Sequence, residues 1–100
     1  MMVDIGGVRL SGRMICATKD EADAVRRHLD AHIARTRAEP GCLLFEITPL
    51  GGGRAWSVEE LFTDVHAFRE HQRRAAESEW GRATAGIERR YRIEGLPPEE

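Results

Sequence analysis

Residues 54–72 read RAWSVEELFTDVHAFREHQ, and the passage from strand to helix inside them decides the fold. Ala55 to Leu61 is rich in Trp, Val and Leu, the composition of a pleated, half-buried strand. Asp64 then stands where a helix needs its N-cap, because its carboxylate accepts from the unpaired N–H groups of a first turn. Ala67, Phe68, His71, Gln72 and Ala75 follow at helical spacing and fall on one side. His71 is therefore an imidazole on an apolar helix face, just beyond the strand that carries Trp56.

Toward the N-terminus, Pro49-Leu50-Gly51-Gly52-Gly53 is a turn, too rich in glycine for a packed element. Cys42 to Leu50 reads as a strand with Leu43, Phe45 and Ile47 on one face and Leu44, Glu46 and Thr48 on the other. Glu39-Pro40-Gly41 ends the preceding helix, since proline pushes the residue before it out of the helical region. That helix opens at Thr18-Lys19-Asp20-Glu21, a capping box, and its apolar stripe runs through Ala22, Val25, Leu29, Ile33 and Thr36. Val8 to Ala17 is the first strand, with Val8, Leu10, Met14 and Cys16 on one face, Arg9, Ser11, Arg13, Ile15 and Ala17 on the other, and Gly12 as a gap. Met1 to Gly7 is a loose leader.

Toward the C-terminus, Ser78 caps a short helix over 79–88 that turns Trp80, Ala83, Thr84 and Ile87 inward. Arg89 to Leu96 is the last strand, with Tyr91 and Ile93 on one face, and 97–100 is a polar tail. The order strand, helix, strand, strand, helix, strand predicts an α+β fold, the ferredoxin-like split βαβ with an antiparallel sheet and its helices on one face. The first strand then lies between the third and fourth, and the second is an edge. The sheet's other face is bare in a monomer, so a homodimer through the sheet faces is the expected remedy. One hundred residues make one domain, and a chain this short buries only a thin core.

Composition narrows the function. A formal charge of −2 with interspersed signs argues against a nucleic-acid surface, which needs a basic surplus. No apolar run approaches the length of a membrane span, and MMVDIGGVRL has no basic segment leading into an apolar one. The expected address is the cytoplasm, with no membrane partner. Cys16 and Cys42 fall on strands separated by another strand, too far apart for a disulfide, and read as small apolar residues. His28 and His32 stand four apart on the first helix, a spacing that can present two imidazoles to a metal. With no third ligand in view, they read as a surface pair.

Glu39-Pro40-Gly41-Cys42-Leu43, a strand, then Val58 to His71 with Asp64, Ala67, Phe68 and His71 in register resembles the antibiotic biosynthesis monooxygenase (ABM) family of dimeric α/β barrels. The similarity covers roughly Val8 to Leu96. It implies oxidation of a quinol, phenol or polyketide-type aromatic by O2 without flavin, haem or metal. Such chemistry needs a base in a dry, aromatic-walled pocket. On this resemblance His71 is the candidate catalytic base, because imidazole titrates near neutrality. Trp56, Phe45, Phe62, Phe68 and Trp80 are candidates for the pocket walls, and Tyr91 or Arg13 for contact with a substrate oxygen. An imidazole so placed also serves as pocket lining or as a hydrogen-bonded core residue, and Arg13 alternatively pairs with Glu46 or Glu59 across a dimer.

Two rival readings remain on the same fold. One is a non-catalytic small-ligand or stress-response protein. The other is a haem-degrading enzyme, whose site resembles an Asn–Trp–His set. This chain has no Asn, places His71 where that branch has Trp, and places Thr84 where it has the haem-ligating His. Haem degradation is disfavoured on those grounds.

Overall fold

The computed structural model describes residues 7–98. Four strands, β1 (Val8–Ile15), β2 (Cys42–Pro49), β3 (Ala55–Phe62) and β4 (Glu88–Glu94), form one antiparallel sheet in the order β2-β3-β1-β4. Three helices, α1 (Lys19–Arg37), α2 (Val65–Glu77) and α3 (Glu79–Ala83), complete it. This is the split βαβ arrangement, with β1 central and β2 at an edge. The leader over 1–6 and the last two residues of the tail lie outside the described residues.

Each helix starts on a side chain that meets an orphan N–H. Thr18 Oγ1 accepts from the Glu21 amide at 3.1 Å. Glu21 reaches back to the Ala17 amide at 2.7 Å, one residue earlier than the reciprocal box requires. Asp64 Oδ1 accepts from the Ala67 amide at 2.8 Å. Ser78 both closes α2, donating to the Ala75 carbonyl, and opens α3, accepting from Gly81 N–H. Helix α3 is shorter than the sequence suggests, ending at Ala83 because 84–86 form a turn before β4.

The inward face of the sheet alternates as expected: Val8, Leu10 and Met14 from β1, Phe45 and Ile47 from β2, Trp56, Val58 and Phe62 from β3 are buried. Leu43 departs from that pattern. The register shifts between Cys42 and Leu44, a bulge that throws Leu43 outward to 59% exposure. Gly12, at φ +150°, faces Tyr91 across β1–β4, and a Cβ there would sit 2.0 Å from the Arg90 carbonyl oxygen. Only glycine lets β4 lie this close. Cys16 and Cys42 are both free.

The outward face carries Glu46 opposite Glu59 on β2–β3, and Arg13 opposite Arg90 on β1–β4. Among the described residues, no helix is long and apolar enough to cross a membrane.

Candidate functional site

A cavity of about 440 Å³ opens between the inward sheet face and the helices, with His71, Glu60, His32, Trp80, Phe45 and Tyr91 in its wall. Two elements bring its polar groups together. Gly41, at φ +86°, turns the chain after Pro40, and a Cβ on it would meet Ala67 Cβ at 2.5 Å. Glycine thus lets the first turn of α2 settle against the turn that follows α1. One helical turn beyond Ala67, His71 lands beside Glu39, whose Oε1 accepts from Nδ1 at 3.0 Å. A carboxylate only accepts, so Nδ1 carries the proton and Nε2 holds the free lone pair. The Glu39-Pro40-Gly41 turn is therefore a device for orienting an imidazole.

His71 is 2% exposed. Phe62 stacks on its ring at 5.0 Å between centroids and Phe45 meets it edge-on at 5.5 Å. Burial pushes its pKa below the ordinary imidazole value, while the Glu39 carboxylate pulls it back up. On the other side, Nε2 stands 3.9 Å from Glu60 Oε1. Glu60 is 6% exposed, and that oxygen is buried with no hydrogen-bond partner among the described residues. Burial, and then the charge on Glu39, lift its carboxyl to about 7.

His32 is not on the surface. It is 5% exposed and lies flat on the Trp80 indole, 4.5 Å between centroids and 5° from parallel. Burial holds it at about 3, with the His71 and Arg35 charges adding to the effect, so its imidazole is neutral at physiological pH. With His32 turned into the core, it makes no metal pair with His28. Among the described residues, no group of three His, Cys, Asp or Glu side chains is placed to hold a metal ion.

The remaining residues singled out from sequence divide in two. Phe45, Trp80 and Tyr91 reach the cavity with His71. Burial raises the Tyr91 phenol, which sits beside Arg89. Phe62 and Phe68 are core residues packed edge-to-face at 5.9 Å, Phe62 backing His71 without lining the cavity. Trp56 is buried away from it, under the Arg26 guanidinium. Arg13 alternates outward from Met14 and is exposed on the opposite sheet face, so it cannot touch a ligand in this cavity. Thr84 is fully buried, its hydroxyl donating to the Trp80 carbonyl and accepting from Arg89, which leaves no axial ligand for a haem there.

Sequence reasoning misses Glu60 and His32. Glu60 shares the parity of Trp56, Val58 and Phe62, so strict alternation puts a carboxylate on the buried face. His32 falls three after Leu29 and four before Thr36, on the stripe itself.

The profile of the family described as antibiotic biosynthesis monooxygenase matches residues 12–83. The chain belongs to that family. Solved structures share the ABM fold. Rv0793 from Mycobacterium tuberculosis is 23% identical, over 94% of this chain and 96% of that one, with a TM-score of 0.67. A putative antibiotic biosynthesis monooxygenase from Nitrosomonas europaea is 15% identical, over 96% and 95%, at 0.75. MupZ from Pseudomonas fluorescens is 18% identical, over 93% and 70%, at 0.73. At these identities the likeness concerns the ABM fold alone. Comparison with curated proteins gives no match.

Proposed function

We propose that this ABM protein is a cofactor-independent monooxygenase of the cytoplasm that oxidises a phenol, quinol or polyketide-type aromatic with O2. The observation that carries the reading is His71, held through Nδ1 by Glu39, in the wall of a cavity it shares with Phe45, Trp80 and Tyr91. Nε2 takes the hydroxyl proton of the bound ring, and Glu39 balances the imidazolium that forms. The resulting anion gives one electron to O2. The ring radical and superoxide combine to a peroxide, and loss of water leaves a new carbonyl. For an anthrone-type CH2, one oxygen atom ends in the product and one in water, so four electrons leave the ring and four reduce O2. Exclusion of bulk water by Phe45, Trp80 and the sheet keeps the radical pair together.

The test is turnover of a reduced naphthoquinone or an anthrone under ¹⁸O2. One labelled atom per product is expected; no oxygen uptake above the rate of the free substrate favours the non-catalytic ligand-binding reading.

The same reading makes the functional unit a homodimer through the outward sheet faces. One half of that face carries Glu46 and Glu59; the other carries Arg9, Arg13, Arg90 and Arg92 against Glu88 and Glu94. A two-fold axis along the strands sets the acidic half of one copy on the basic half of the other. Sedimentation equilibrium of Arg13→Glu checks this: a weaker dimer is expected, and an unchanged one removes the sheet-face arrangement.

A further inference from the structure

Two acceptors stand side by side in the cavity wall. His71 spends its Nδ1–H on Glu39, so Nε2 can only accept. Glu60 Oε1 lies 3.9 Å from that nitrogen, on a side chain 8% exposed, and no group within the described residues donates to it. A buried acceptor without a donor is costly to keep, and native interiors rarely keep one. A separation of 3.9 Å is too long for a direct hydrogen bond. It suits two donors that are themselves neighbours. The cavity also has a flat wall, the coplanar His32 and Trp80 rings.

We propose that Glu60 is the specificity-determining residue of the cavity, and that the ligand is a planar aromatic bearing two vicinal hydroxyls, one donating to His71 Nε2 and the other to Glu60. This rests on the cavity being the seat of an oxidisable ring, and it narrows that ring to a diol. A single phenol satisfies one acceptor and leaves the other bare. A methyl ether satisfies neither. A ring carboxylate brings like charge against Glu60 and Glu39.

The experiment is anaerobic calorimetric titration of the full chain at about pH 8, where most of the Glu60 carboxyl is ionised, with 2,3-dihydroxynaphthalene, 2-naphthol and 2,3-dimethoxynaphthalene. The diol is expected to bind about tenfold more tightly than 2-naphthol, and the diether about 100-fold more weakly than the diol. Glu60→Leu is expected to erase the advantage of the second hydroxyl, leaving both phenols alike. Glu60→Gln, whose amide oxygen still accepts, keeps the preference and guards against a folding defect in the leucine variant. Equal binding of diol and single phenol by the unaltered protein overturns the proposal, as does a diol preference that survives in Glu60→Leu, or no binding of any ring. Without O2, the titrations read recognition alone. A diol preference in a protein that consumes no oxygen supports the proposal while removing the monooxygenase reading.

Discussion

Glu39 Oε1 accepts from His71 Nδ1 at 3.0 Å across 32 residues of sequence, joining the turn after the first helix to the middle of the second. That bond fixes which nitrogen of the imidazole faces the cavity. Its carboxylate also opposes the downward pull of burial on the His71 pKa.

Glu39→Gln keeps an acceptor for Nδ1–H but removes the charge. The His71 pKa is expected to fall further, and kcat to drop by roughly tenfold with KM little changed, the scale of effect seen when an orienting partner is lost. Titration of the His71 ring by NMR checks the first part. An unaltered titration curve means that Glu39 is not setting the charge state of His71.

Gly41 sits at φ +86° with its hydrogen against Ala67. Gly41→Ala adds backbone strain and a Cβ clash, an expected loss of about 1–3 kcal/mol, together with a displaced α2 and weakened Glu39–His71 bond. Urea unfolding measures the loss. Full stability in this variant contradicts the account of why glycine closes the Glu39-Pro40-Gly41 turn.

Glu60 titrates at about 7 when folded, against an ordinary value of 4.5. Between those values the folded chain holds a proton that the unfolded chain has lost. Stability from this group therefore falls as pH rises through the window, by about 3 kcal/mol in all, with the whole cost present above about pH 7. Glu60→Gln does not titrate, so its stability advantage is expected to grow from pH 5 to pH 8. His32, held at about 3, works oppositely: stability rises with pH up to its unfolded value of 6.5. It is present in both proteins and cancels in the difference. Denaturant melts of both at the two pH values decide, and a constant gap between them contradicts a buried, strained Glu60.

Much of this architecture is legible in the amino-acid sequence. Asp64, Thr18 and Ser78 mark helix starts because capping is a local contest for a few N–H groups, written in adjacent residues. The sheet order follows from the alternation of elements. What is not legible depends on contacts between distant segments or on single-residue irregularities. Leu43 leaves the core because a bulge inserts one residue into β2, which alternation cannot foresee. His32 reads as half of a surface pair, yet Trp80, 48 positions later, stacks on it. Residue type assigns Trp56 and Arg13 to the pocket, whereas a strand's position along the sheet and its parity decide which side chains reach a given hollow. Glu60 is recognisable in principle, because its parity is in plain view.

The central claim is that His71 accepts the proton that starts oxidation. Oxygen consumption with a reduced naphthoquinone, measured for the unaltered protein and for His71→Ala, tests it most directly. The account predicts at least about a tenfold lower rate in the variant, with the fold retained by circular dichroism. An equal rate in a folded His71→Ala protein contradicts it.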